Sequence, residues 1–348
     1  MTDRPPLRFA VIGVDHPHIF GQVSTLLAAG GELVAFHVAE PAQAEGFARM
    51  YPQAKRARDE REILEDVSIQ VVTSASIPSE RAPLGVRVLL HGKDFLVDKP
   101  GMTTLAQLVE VRRVQRETGR IYSVFFSERF ESRATERASK LVAAGAIGRV
   151  VQTIGLGPHR ASLAHRPKWF FERGRYGGVL CDIASHQVDQ FLHFTGAYDA
   201  EVVASTVANW AHPEHPGFED FGELHLRGKA ATGTVRVDWY TPDALPTWGD
   251  GRLFVLGTEG YLEVRKYCDL GGAPGADHLF LVERGELRRF DCRHDELPFG
   301  AAFVADVRDR TGTAMTQAHC FRACELVLQA QARALRLGHL AEEQGAAS

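Results

Sequence analysis

Leu7-Arg8-Phe9-Ala10-Val11-Ile12-Gly13-Val14 is an apolar, β-prone run that ends in a glycine turn, and Ile19 to Ala29 after it reads as a helix closed by Gly30-Gly31. The same alternation then repeats. Leu33 to Phe36 is a second strand, followed by an alanine-rich helix over Ala42 to Tyr51. Ile69 to Thr73 is a third, followed by a loop with Pro78 and a helix over Ala82 to His91. Phe95 to Val97 is a fourth strand, and Thr104 to Thr118 is a helix stopped by Gly119. Units of this length predict an α/β fold with a mostly parallel sheet, right-handed crossovers and helices on both faces. Residues 1–124 are read as this first domain.

A chain of 348 residues exceeds the size at which single cores tend to split, so a second domain is expected over 125–348. It reads as α+β. A helix over Arg133 to Ala144 ends at Gly145 and a strand starts near Arg149. Val202 to Ala208, Phe218 to Arg227, Ala231 to Trp239 and Arg252 to Leu256 then alternate as an open-faced, mostly antiparallel sheet with one covered face. A last helix over Thr316 to Leu337 has a spacing that packs it back on the body.

With 45% hydrophobic and 24% charged residues the composition is that of an ordinary globular protein, and a net charge of −4 gives no basic footprint for nucleic acid. A small neutral or polar ligand is the expected partner. Five cysteines, an odd number without Cys-x-x-Cys, point away from a disulfide framework and a structural zinc site, and towards a reducing cytoplasm. Cys320 and Cys324 read as packing groups. No apolar run reaches membrane-spanning length and the start lacks a signal-peptide core, so neither export nor insertion is expected.

The turn Gly13-Val14-Asp15-His16-Pro17-His18 stands where a dinucleotide-binding domain carries Gly-x-Gly-x-x-Gly. Only the first glycine is present, and Asp15 would bring a negative charge towards a negative ligand. The helix N-terminus still offers free N–H groups. His16 is either a partial offset to Asp15 or a capping group. Val38 occupies the place of the ribose-binding acid; Glu40, two residues on, is either that contact through a shifted loop or a solvated charge. No Lys or Arg occurs from 37 to 48, which favours NAD over NADP.

Val97-Asp98-Lys99-Pro100 ends a parallel strand at its carboxyl edge, where ligands bind in open α/β sheets. Lys99 is either a proton-handling amine or a strand-end lysine reaching solvent. Gly177-Gly178-Val179-Leu180-Cys181-Asp182-Ile183-Ala184-Ser185-His186 opens a helix with a carboxylate and an imidazole four residues apart. At ~100° per residue, Asp182, His186, Asp189 and His193 form a titratable stripe opposite an apolar face. His186 has the intrinsic pKa suited to general acid–base work, Asp182 would orient it or bind a substrate hydroxyl, and Lys99 completes the set. A zinc reading, with His159 or His225 added, is weaker, because two ligands at helix spacing do not define a site; no metal is expected. Lys168 and Trp169 line a sugar pocket or belong to the core.

The order of the glycine turn, Asp98-Lys99-Pro100, Gly145-Ala146-Ile147-Gly148-Arg149-Val150, Gly177-Gly178 with Asp182 and His186, and Gly257-Thr258-Glu259-Gly260 resembles the Gfo/Idh/MocA oxidoreductases. The resemblance spans the whole chain. It implies a Rossmann domain, a sheet domain that often forms homo-oligomers, a nicotinamide cofactor, and sugars, polyols or their derivatives as substrates. On it, Lys99, Asp182 and His186 match the family's catalytic lysine, aspartate and histidine. Gly13, Asp15, His16, Glu40, Ala75, Asp98, Lys99 and Ser127 would border the cofactor, and Lys168, Trp169, Lys99, Asp182 and His186 the substrate. Departures fall on cofactor handling: Asp15 and His18 for glycines, Val38 for the acid, Arg81 for a histidine, and Asp98 for glutamate. The leading expectation is an NAD-dependent dehydrogenase of a sugar, polyol or sugar acid. Redox-assisted glycoside cleavage with tightly held NAD, and a cofactor-degraded binding or sensor protein, are the alternatives.

Overall fold

In the structure, a computed structural model that describes residues 4–340, the alternating elements near the start are β1 (Leu7–Ile12), α1 (His18–Ala28), β2 (Gly31–His37), α2 (Pro41–Met50), β3 (Lys55–Arg56), α3 (Glu60–Leu64), β4 (Val71–Ser74), α4 (Pro78–Leu90), β5 (Asp94–Asp98), α5 (Leu105–Thr118) and β6 (Tyr122–Phe125). They build a six-stranded sheet of order β3-β2-β1-β4-β5-β6, parallel throughout. Phe9, Val11, Val71, Val72, Phe95, Leu96 and Val97 are fully buried, as strands covered on both faces must be. The four-strand reading misses β3 and β6. β3 is two exposed residues, too short to show alternation, and α3 is a single five-residue turn capped by Asp59.

The chain divides into two compact units, the residues up to Phe125 with Pro298–Phe321, and Phe126–Leu297 with those from Arg322 on. The second holds α6 (Ser127–Phe130), α7 (Arg133–Ala143), β7 (Val150–Pro158), α8 (Arg173–Tyr176), α9 (Val179–Asp182), α10 (Ala184–Thr195), β8 (Glu201–Asn209), β9 (Phe221–Arg227), β10 (Thr232–Asp238), β11 (Arg252–Gly257), β12 (Gly260–Arg265), β13 (His278–Glu283) and β14 (Glu286–Asp291). After them come α11 (Phe299–Asp309), α12 (Gln317–Arg333) and β15 (Leu335–Gly338). Gly300 of α11 lies so close to α1 that a Cβ would stand 2.7 Å from the Thr25 carbonyl, which ties this late segment to the first unit.

The second unit carries a nine-stranded sheet of order β14-β13-β12-β11-β7-β10-β9-β8-β15. It is antiparallel except at β7–β10 and β8–β15. The last helix is therefore shorter than its periodicity suggests: it stops at Arg333, and Leu335–Gly338 pairs with Thr206–Asn209. The edge of β8 offers backbone groups that outweigh one more helical turn.

The glycine-led helix is also corrected. It breaks at Ile183 into α9 and α10, and the His186 N–H bonds the Ile183 carbonyl (3.1 Å). Its polar stripe is not presented to solvent. His186 is 1% and Asp189 0% exposed, because α10 lies against β7 and β10 while α6 supplies partners for its polar groups. Arg129 of α6 grips Asp189 through two bonds (2.6 and 2.7 Å). His193 alone of the stripe reaches the surface, where it meets the Ser139 hydroxyl at 2.8 Å. All five cysteines are free and buried, Cys320 and Cys324 among them.

Candidate active site

Gly13 ends β1 with φ +80°, a conformation costly for any other residue, and a Cβ there would lie 2.7 Å from Ser76 Cβ. This close approach stitches two turns together: Ala75 N–H donates to the Gly13 carbonyl (3.1 Å), and the Ala75 carbonyl accepts from His16 N–H (3.0 Å). The turns follow β1 and β4, where the strand order reverses and open α/β sheets bind their ligands. α1 starts there with Pro17 as N-cap, no side-chain cap and no acid in its first turn. A nucleotide pyrophosphate fits such a start. Burial, with Glu80, raises the Asp15 pKa, so its environment disfavours the charge expected to repel that ligand.

Three of the departures from the family pattern meet in one place. Asp98, fully buried at the end of β5, takes the His18 ring nitrogen Nδ1 at 2.9 Å and Arg81 at 3.0 Å, with His16 Nδ1 at 3.6 Å. Burial pushes the Asp98 pKa up, but His18 and Arg81 outweigh it and hold the carboxyl well below the usual range. Burial and then His18 keep His16 well below the ordinary imidazole value, hence neutral. Arg81 also donates to the carbonyls of Ser76 (2.6 Å), Lys99 (2.5 Å) and Pro100 (3.2 Å). One buried guanidinium thus fixes the strand end that carries Lys99, and the Lys99–Pro100 peptide is cis. Lys99 itself is 3% exposed, which removes the solvent-reaching alternative. Asp98→Asn is expected to destabilise the protein by about 3–5 kcal/mol, because Arg81 keeps its charge and loses its partner. Denaturant unfolding checks this, and an unmoved midpoint would refute it.

In the second unit, Gly177 and Gly178 both have positive φ, and a Cβ on Gly178 would run into the Gln331 side chain. That side chain caps α9: Gln331 Oε1 accepts from Leu180 N–H (3.0 Å), and Glu219 accepts from Val179 N–H (2.8 Å). So the start of α9, the short helix that ends at Asp182, is anchored by residues 40 and 151 positions away from the groups they cap. Asp182 is half-buried. Beside His186, Gln187 donates to Glu128 (2.9 Å), which also takes Lys266 Nζ at 2.5 Å, and the Phe126 ring stands edge-on to the His186 ring at 6.4 Å. Burial raises the Glu128 pKa, but Lys266 above all, then His186 and His159, bring it down to about 2.

The remaining candidates scatter. Glu40 caps α2, its carboxylate accepting from Gln43 N–H at 2.6 Å. Ser127 opens α6 and is half-buried; Lys168 is exposed; Trp169 is half-buried with its ring against Phe170. His225 lies on the exposed face of β9 against Thr234, away from any metal cluster with Asp182 and His186. Among the described residues, the His/Cys/Asp/Glu side chains that gather closely enough for an ion are His16, His18 and Asp98. There Arg81 already neutralises the carboxylate. Lys266, and its pairing with Glu128, escaped the sequence reading. The trace they leave is a pair of charges, Glu128-Arg129, inside the apolar run from Val124 to Phe130.

A parallel sheet of this order, with a glycine turn and a lysine at its carboxyl edge, defines a nucleotide-dependent oxidoreductase class. Residues 7–126 match the oxidoreductase family with an NAD-binding Rossmann fold, and residues 135–263 match the GFO/IDH/MocA C-terminal domain. The chain belongs to the Gfo/Idh/MocA family. It is 45% identical to a protein from Erwinia carotovora atroseptica SCRI1043 provisionally described as an oxidoreductase (TM-score 0.93, 95% of this chain and 100% of that one). Levoglucosan dehydrogenase of Pseudarthrobacter phenanthrenivorans is 28% identical over 201 residues, 57% of this chain and 49% of that protein. A levoglucosan dehydrogenase crystallised with NADH and levoglucosan has the same fold (TM-score 0.76, 17% identity, 99% and 98% covered). An NAD-dependent scyllo-inositol 2-dehydrogenase of Bacillus subtilis is 26% identical over 238 residues, 66% and 65% of the two chains. The matches span about half to two thirds of these curated relatives' lengths.

Proposed function

We propose that the chain is an NAD-dependent dehydrogenase of a hydroxyl-bearing carbon of a sugar, polyol or sugar acid. The observation that carries this reading is the buried Lys99, set at the carboxyl edge of β5 and clamped through its carbonyl by Arg81. A bound nicotinamide supplies the hydride chemistry. The chain's own residues do the rest: Lys99 and His186 hold or release the hydroxyl proton, Asp182 orients the substrate, and Gly13, His16 and Ala75 shape the pyrophosphate turn. Glu40, Asp98 and Ser127 complete the cofactor side, and Lys168 and Trp169 the outer substrate side. NAD is preferred because the loop after β2 carries Glu40 and no cation from 37 to 48 for a 2′-phosphate. Among the described residues no helix is long and apolar enough to cross a membrane. Leu256 and Tyr261, paired across β11 and β12 and both exposed, suit contact with a second copy of the chain.

Calorimetric titration of nucleotide-free protein is expected to give micromolar binding of NADH and weaker binding of NADPH. Sugar-dependent accumulation of NADH would then separate net oxidation from glycoside cleavage that returns the hydride. Absence of heat with either nucleotide would refute the reading.

A further inference from the structure

Arg166 follows β7 in the second unit and is half-buried. Its Nε donates to the Ala161 carbonyl (2.8 Å) and one terminal nitrogen reaches the Arg160 carbonyl (3.4 Å). Its guanidinium lies over the Phe170 ring at 4.4 Å and the Trp239 ring at 5.0 Å, which fixes the plane of the fork. Other arginines of this unit that leave the surface have a carboxylate: Arg129 has Asp189, Arg173 has Glu219, Arg252 has Asp250 and Arg265 has Glu263. Among the described residues none bonds Arg166. Burial lowers its pKa, and the acid whose charge it feels is Asp182, the residue assigned to orient the substrate.

Two polar groups at the end of β10, on Trp239, whose ring lies under Arg166, and on Thr241 two residues on, lack partners. Trp239 is 6% and Thr241 8% exposed, yet the indole N–H and the Thr241 hydroxyl are buried without a hydrogen bond. Trp239 packs against His159 (5.4 Å), whose carbonyl accepts the Thr241 N–H (3.1 Å). Buried polar groups that a protein leaves unmatched call for an explanation. Here each of them can donate: the guanidinium and the indole only donate, and the Thr241 hydroxyl donates or accepts.

We infer that the substrate carries a carboxylate, received by the Arg166 fork with the Trp239 N–H and Thr241 O–H, so that the enzyme acts on polyhydroxy acids and not on neutral sugars. The inference rests on the dehydrogenase reading and narrows its substrate class. A carboxylate brings two oxygens and four acceptor sites, matching a forked cation and two single donors. A sugar hydroxyl would bring no charge to a guanidinium that, among the described residues, no carboxylate bonds directly. A phosphate dianion asks for a second desolvated cation, but neighbouring Arg160 is engaged by Asp243 and by the carbonyls of Pro242 and Leu245, and Lys168 is exposed to water.

The test uses the full chain with NAD and matched probes: D-glucose, D-gluconate, D-glucuronate and D-glucose 6-phosphate, with the galactose series beside them. The acids are expected to show the highest kcat/KM. Arg166→Gln should cut the acid-to-neutral ratio of kcat/KM by about 30-fold or more, mostly through KM, the effect of removing one member of a desolvated charge pair. Arg166→Lys should recover part of it, and thermal unfolding of both variants shows that they fold. A neutral or phosphorylated sugar preferred over every acid, or an unchanged ratio in Arg166→Gln, overturns the inference and leaves the dehydrogenase standing. If nothing is oxidised, calorimetry with gluconate and glucuronate still decides. Binding that is lost in Arg166→Gln keeps the carboxylate site and sinks the hydride reading, and no binding of any acid sinks the site.

Discussion

Lys99→Met is expected to lower the rate of substrate oxidation by about 10²–10⁴-fold, the contribution of a positioned general acid or base. The amine sits on a strand end whose path is set elsewhere: Asp98 and Arg81 hold the backbone through side-chain and carbonyl contacts that the substitution leaves in place. Methionine is close in length and apolar, so a melting temperature within a few degrees of wild type should accompany the loss. The informative control is the pH profile. If Lys99 and His186 share the hydroxyl proton, removing one leaves a profile governed by the other, and His186→Asn should remove the complementary limb. Steady-state kinetics of both variants between pH 5 and 10 reads this. Wild-type turnover in Lys99→Met would end the assignment.

Lys266→Met should cost about 3–5 kcal/mol of stability, because it leaves the Glu128 carboxylate buried without its cation. For the second unit that is roughly 10 °C in melting temperature. Its sign with pH distinguishes it from ordinary loss of packing. In the wild type the Glu128 pKa is depressed to about 2. Its contribution is therefore complete above the unfolded value of about 4.3 and is lost only as pH falls through the range towards 2. Without Lys266, burial is the larger influence and the folded pKa moves above the unfolded one. The stability of the variant should then fall as pH rises above about 4.3 towards that raised value, a range in which the wild type is flat. Adding Glu128→Gln should restore part of the loss. A variant whose deficit is constant from pH 4 to 8 would show that the pair contributes packing alone.

Lys266 is hard to see in the chain because it lies 138 residues from Glu128 and sits in no pattern that signals burial. Asp182 and His186 are a different case. The glycine pair and their spacing mark them plainly, yet the surface they share is not the helical stripe that spacing suggests, since the helix breaks at Ile183 and α6 covers His186 and Asp189. His18, Arg81 and Asp98 show a third pattern. Each is legible as a departure from a family motif, and only the fold reveals that the three departures touch one another.

Periodicity and turn residues alone determined the parallel sheet, its glycine turn and the strand that ends in Asp98-Lys99, because alternating apolar runs bounded by glycine and proline encode local geometry directly. The tertiary structure alone decided which charges are buried and with whom, and turned Leu335–Gly338 from the last turn of a helix into a strand on β8. Ion pairs and sheet edges join residues far apart in the chain. Their free energies depend on desolvation and on a partner's position, and neither is written in local sequence.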